Sequence, residues 1–109
     1  MTDPKKYYTY VLRCEDGSVY TGITTDLKRR FAEHSEKNGL GARYTRSHTA
    51  IKLEAAWESD SRSLASKLEY RIKHLKKEKK ERLISGESIS IVGDEFSEEL
   101  YRRVDISSS

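Results

Sequence analysis

Tyr7-Tyr8-Thr9-Tyr10-Val11-Leu12-Arg13-Cys14, then Glu15-Asp16-Gly17, then Ser18-Val19-Tyr20-Thr21-Gly22-Ile23, reads as two strands joined by a tight turn. Aromatic and β-branched residues favour a pleated backbone on both sides, and Asp-Gly between two such runs is a strong local hairpin signal. The length of the loop decides what the hairpin presents. A two-residue Asp16-Gly17 loop pairs Arg13 with Tyr20 and sends Tyr10 and Tyr20 to opposite faces, because side chains alternate. A three-residue loop, Glu15-Asp16-Gly17 with Gly17 left-handed, pairs Leu12 with Tyr20 and puts both tyrosines on one face. A shared site for the two tyrosines requires the second form.

Beyond the hairpin, Thr24 or Thr25 is an N-cap for a helix running to about Lys37, with Asp26 in its first turn. Leu27 and Phe31 make its apolar stripe, with Arg30 and His34 as a second i, i+4 pair. Asn38-Gly39 stops it, and a basic loop from Gly41 to His48 follows. Ile51, Leu53, Ala55 and Trp57 alternate with Lys52, Glu54 and Glu58, which predicts a third strand. Ser61 or Ser63 then caps a long helix whose apolar row is Leu64, Leu68, Ile72 and Leu75. Leu83 and Ile84 extend it or begin a short separate one. The expected fold is α/β (α+β), a small three-stranded antiparallel sheet flanked by helices. The division expected is a domain over residues 1–85 and an acidic, partly flexible tail over 86–109, with Gly86 ending the ordered core.

The chain has 109 residues, 35 % of them apolar and 36 % charged, so one thin core under a heavily charged surface is expected. Its single cysteine, Cys14, excludes an internal disulfide and reads as a small packed strand residue. No 18-residue apolar run and no leader pattern is present, so no membrane partner and a cytoplasmic location are expected. The net charge of +3 is uneven: residues 1–85 hold 19 Lys/Arg against 12 Asp/Glu, and residues 86–109 hold 2 against 6. A basic body suits a polyanion, since neutralised phosphates release counterions; a lysine-rich solvated helix face is the other reading. The acidic tail could compete with nucleic acid for a basic groove.

Glu69 lies one position from the core residue Leu68, at the edge of the apolar stripe. It is placed either to face the sheet as a functional carboxylate or to form an i, i+4 ion pair with Lys73. In the basic loop, Arg43, Tyr44 and Arg46 interleave an aromatic with two guanidinium groups, a pattern suited to phosphate contacts with base stacking.

The order of these pieces resembles the GIY-YIG nuclease superfamily, and most closely its small stand-alone bacterial members, the YhbQ-like group. The first signature is Tyr8-Thr9-Tyr10 and the second Tyr20-Thr21-Gly22; then come Asp26-Leu27, Arg30, His34 and finally Glu69 on a later helix. The resemblance spans roughly Tyr7 to Ile84. It implies a metal-dependent endonuclease acting on DNA, in repair or processing, with Tyr10, Tyr20, Arg30, His34 and Glu69 catalytic. Glu69 would hold one Mg²⁺ or Mn²⁺, Arg30 the scissile phosphate, and Tyr10, Tyr20 or His34 would serve as base or position the water. Lys28, Arg43, Tyr44, Arg46, Lys73 and Lys76 would contact nucleic acid. Ile23 stands where some catalytic members carry a lysine, which leaves a binding module of weak or absent turnover as the alternative. With no room for a recognition domain, the chain is expected to select branched, nicked or flapped DNA, or to borrow specificity from a protein partner.

Overall fold

The computed structural model describes residues 6–35 and 50–105. Its elements are β1 (Tyr7–Cys14), β2 (Val19–Thr24), α1 (Leu27–Ser35), β3 (Ala50–Ser59), α2 (Arg62–Lys73), α3 (Lys77–Ser85), a 3-10 turn (Ile89–Val92) and β4 (Arg102–Arg103). The strands form one antiparallel sheet in the order β2-β1-β3-β4. The α+β class is as expected from sequence, with one strand more. β4 escaped notice because two arginines carry no strand signal; they are held by pairing with Trp57 and Glu58 at the rim of β3.

The hairpin takes the three-residue loop. Leu12 lies opposite Tyr20, the N–H of Gly17 donates to the Cys14 carbonyl at 2.9 Å, and Gly17 has φ +88°. The Asp16 carboxylate locks the turn by accepting from the N–H and hydroxyl of Ser18 at 3.0 and 2.6 Å. Tyr10 and Tyr20 therefore share a face. Between β1 and β3 the register shifts twice, between Val11 (facing Ala55) and Leu12 (facing Leu53) and between Arg13 (facing Lys52) and Cys14 (facing Ala50), and the first shift leaves Glu54 as an extra residue in a β-bulge. Arg13 of β1 pairs with the Glu54 carboxylate at 3.0 Å and with Glu81 of α3 at 2.6 Å.

The two faces of the sheet carry separate cores. On the tyrosine face Tyr10, Leu12 and Ala56 are buried under Leu27 and Phe31 of α1. On the other, Val11, Ala55 and Trp57 meet Leu68 and Ile72 of α2 and Leu83 of α3. Cys14 is fully buried, as a packed strand residue should be. One detail of the helices differs from expectation, and two open alternatives close. The N-cap of α1 is Asp26, whose carboxylate accepts from the N–H of Arg29 at 3.1 Å, while the Thr24 hydroxyl accepts from the N–H of Asp26. Asp outcompetes the threonines because its charge also suits the helix N-terminus. At α2 the cap is Ser61, accepting from the N–H of Leu64 at 3.1 Å, and α3 is a separate helix.

The core does not end at Gly86. Ile89, Val92, Phe96 and Tyr101 are buried in the α2 side of the core. The Tyr101 hydroxyl donates to the Leu64 carbonyl at 2.7 Å, and Arg103 donates to the carbonyls of Leu83 and Ile84 at 2.7 and 3.0 Å, closing the C-terminus of α3. The segment is acidic only on its outside. Through residue 101 it packs with the face opposite the tyrosines.

Candidate active site

Tyr10 sits at the middle of β1, opposite Gly22 of β2, and is 2 % exposed. A Cβ on Gly22 would lie 2.5 Å from the Tyr10 oxygen and 2.7 Å from Cζ, so the missing side chain is the space in which the phenol rests. The Tyr20 ring lies 6.3 Å from that of Tyr10, tilted by 45°. From α1, the Nε–H of Arg30 donates to the Tyr10 oxygen at 3.4 Å, and its Nη1 pairs with Glu33 at 2.8 Å. Leu27 and Phe31 bury the same side of α1, and that packing sets Arg30 toward the strands.

Glu69 and Lys73 approach from α2. The Thr9 hydroxyl, wholly buried, donates to the Ala65 carbonyl at 3.0 Å and fixes α2 against β1 one turn before Glu69. Lys73 Nζ lies 3.4 Å from Glu69 and 5.9 Å from the Tyr20 ring centroid. Lys73 is thus the cation beside Tyr20, as Arg30 is beside Tyr10, whereas the sequence reading assigned Lys73 to nucleic-acid contact. Glu69 does form its i, i+4 pair with Lys73, and it also acts electrostatically on Tyr10.

Burial pushes the Tyr10 phenol up to about 12; the Arg30 hydrogen bond pulls it down, and Tyr20 and Glu69 add to the rise. Burial works against the charge of Arg30, but its contacts with Tyr10 and Glu33 outweigh that and its pKa lies above the ordinary value. Tyr10 is therefore a neutral hydroxyl at physiological pH. It can donate or accept a hydrogen bond, and Arg30 is a fixed cation beside it.

Four of the five residues expected to be catalytic, Tyr10, Tyr20, Arg30 and Glu69, come together from four elements. His34 follows Arg30 by one turn on α1. Lys28 is on the solvent side of α1, and Lys76 is exposed at the start of α3 beyond the end of α2. Arg43, Tyr44 and Arg46 lie outside the described residues. Sequence reasoning missed Glu33, which holds Arg30, and the packing duty of Gly22. The first was readable as an i, i+3 Arg–Glu pair; the second required the register.

The GIY-YIG catalytic domain family matches residues 6–82. The chain belongs to the GIY-YIG family. It is 51 % identical over 79 residues to a UPF0213 protein of Fusobacterium nucleatum, covering 72 % of this chain and 77 % of that one. It is 46 % identical to a UPF0213 protein of Natronomonas pharaonis, over 75 % of this chain and 94 % of the relative. Among solved structures it is similar to the solution NMR structure of a UPF0213 protein from Bacillus halodurans, with 46 % identity, 73 % and 83 % coverage, and a TM-score of 0.48. These are members of the small stand-alone GIY-YIG group, in a family of nuclease type. The family match ends before the segment with Ile89, Val92, Phe96 and Tyr101, so this chain completes its core with residues beyond the shared domain.

Among the described residues no three His, Cys, Asp or Glu side chains converge. Glu69 offers a hard oxygen donor, the kind that Mg²⁺ or Mn²⁺ takes in preference to a soft metal. Mg²⁺ keeps several waters and takes one or two carboxylates together with substrate phosphate oxygens, so a single Glu69 beside a phosphate is an adequate protein contribution. No helix among the described residues is long and apolar enough to cross a membrane.

Proposed function

We propose that this protein is a divalent-metal-dependent endonuclease that hydrolyses phosphodiester bonds in DNA. The observation that carries the reading is the approach of two helices to the Tyr10–Tyr20 pair, Arg30 from α1 on the tyrosine face and Glu69 with Lys73 from α2 on the other face, in a chain of the GIY-YIG family. Arg30, held by Glu33 and Tyr10, is pre-set to receive a phosphate oxygen through the rest of its guanidinium fork. Glu69 would hold Mg²⁺ or Mn²⁺, which when bound supplies Lewis-acid stabilisation of the phosphoryl oxygens. The negative charge that builds on the phosphoryl oxygens as phosphorus becomes five-coordinate would be met by Arg30, a cation held in place in a part-buried site, where electrostatic help is largest.

The two tyrosines divide the remaining work. A phenol with its pKa at about 12 is ionised in only roughly one molecule in 10⁵ at pH 7, so Tyr10 orients Arg30 and the attacking water rather than removing its proton. Tyr20 is less buried and lies between Tyr10 and Lys73, so it is the tyrosine that meets the reacting water. His34 is the alternative proton acceptor. Cytoplasmic DNA processing on nicked, flapped or branched substrates is the setting we assign. A binding module without turnover is the second reading, favoured by Ile23 and by the Lys73 contact that engages Glu69.

The test is cleavage of supercoiled plasmid and of branched DNA with Mg²⁺ or Mn²⁺, comparing the wild type with Glu69→Ala and Tyr20→Phe. Metal-dependent nicking, lost by about a hundredfold or more in both variants, is the expected result. Binding without cutting by the wild type would leave the second reading standing. Cutting that survives Glu69→Ala would place the chemistry elsewhere.

A further inference from the structure

The outer face of α2 holds an aromatic that packing does not use. Tyr70 is 62 % exposed. It follows Glu69 directly, which turns it about 100° further round the helix, away from the tyrosine pair and toward solvent. Its ring is backed by His74 one turn on, at 4.2 Å between centroids and 32° between planes. His74 is itself pinned, its Nδ1–H donating to the Tyr70 carbonyl at 2.7 Å. One side of the phenol ring is thus braced and the other is open. An aromatic held in this way loses little conformational freedom when something stacks on it.

Beside it runs a groove of about 430 Å³ between α2 and the C-terminal segment, lined by Tyr70, Phe96, Lys67, Arg71 and Glu95 with the hydroxyls of Ser63 and Ser66. Sites for small ligand groups span roughly 300–1,000 Å³. Arg71 is positioned there by donating from Nη2 to the Val92 carbonyl at 3.1 Å, with its guanidinium 5.9 Å from the Phe96 ring centroid. Lys67 and Arg71 suit phosphates. Glu95 repels phosphate but accepts from the amino and imino groups of a base, as carboxylates do toward cytosine. Aromatic face, cations and one carboxylate together match a nucleotide better than a bare anion.

We infer that Tyr70 and this groove form a nucleotide-binding subsite, which takes an unpaired base of the DNA strand while Lys67 and Arg71 hold its phosphates. The subsite rests on the nuclease reading for its DNA and deepens it. A base stacked on Tyr70 cannot also be stacked in a duplex, so the substrate is unpaired where it meets this groove, as in a flap or single strand. Duplex DNA can reach the phosphate contacts but not the stacking surface.

The test is fluorescence anisotropy in chelator, with labelled oligodeoxycytidine and a duplex of equal length, so that binding is read without cleavage. Tyr70→Ala and Tyr70→Leu should each weaken single-strand binding about tenfold and duplex binding less than about twofold, with Tyr70→Phe close to wild type. Because Tyr70 is exposed, unchanged melting curves are expected to accompany the loss. Single-strand affinity that survives both substitutions, or an equal loss on duplex, would overturn the subsite. A wild type that binds single strands through Tyr70 but cuts nothing would instead overturn the nuclease reading alone.

Discussion

At the scale of single residues the site depends on one buried phenol. Tyr10 is held in the protonated form by burial, with its folded pKa raised from 10.0 to about 12. The sign follows from linkage. Below pH 10 the phenol is neutral in both folded and unfolded chains and its contribution is fully present. Between pH 10 and 12 the unfolded chain loses its proton first, so stability falls as pH rises, by about 2–3 kcal/mol in all from this group. The Tyr10→Phe variant should therefore show a shallower loss of stability than wild type across that alkaline window, measured by urea unfolding at successive pH values. Parallel slopes for the two proteins would mean that Tyr10 is not held neutral. At pH 7 the same variant should lose activity through Arg30, which gives up the acceptor for its Nε–H.

At the scale of elements, the β1–β2 hairpin contains two glycines whose requirements differ. Gly17 needs its backbone: φ is +88° and nothing lies within 4 Å of a Cβ placed there. Gly22 needs its empty side, because a Cβ would meet the Tyr10 ring at its Cζ and oxygen. Gly17→Ala should cost about 1–2 kcal/mol of stability through strain alone and leave metal-dependent cleavage near wild type. Gly22→Ala should cost about 1–3 kcal/mol and also lower cleavage at least tenfold, because a buried tyrosine has no room to yield. Equal catalytic loss in both would refute this division, and thermal melts beside plasmid nicking assays decide it. The hairpin was also the most legible element in the sequence. Asp-Gly and the demand that two tyrosines share a face fixed its loop length, and apolar spacing fixed the inward sides of α1 and α2. The bulge at Glu54 and the Thr9–Ala65 hydrogen bond were not legible, since both depend on which strand lies next to β1.

At the scale of the whole molecule, the C-terminal segment is where charge misled the sequence reading. Residues 86–109 hold 6 acidic and 2 basic side chains; the sequence shows one amphipathic stretch there, Phe96 to Val104, but the acidic excess hid that Ile89, Val92, Phe96 and Tyr101 are all buried. Their spacing of three, four and five matches neither strand nor helix, because they belong to a 3-10 turn and to irregular chain wrapped across α2. Both arginines are structural: Arg103 closes the end of α3 and lies 5.4 Å from the Trp57 ring centroid, while Arg102 pairs with Glu58 and Asp60. β4 also covers the open edge of β3 near Trp57, an edge that would otherwise be free to pair with another chain. Fully burying each of the four large side chains is worth about 1.5–3 kcal/mol. Their sum is comparable with the roughly 5–15 kcal/mol that holds a small domain together. Deleting residues 87–109 should therefore abolish cooperative thermal unfolding, even though the shared GIY-YIG domain over 6–82 remains intact in sequence. If the segment were only an acidic tail, the truncated chain would melt as sharply as the full one and bind DNA more tightly at low salt. The structure requires the opposite: a chain that loses its core on the α2 side, exposes Leu68, Ile72 and Trp57, and with them releases the helix that brings Glu69 to Tyr10.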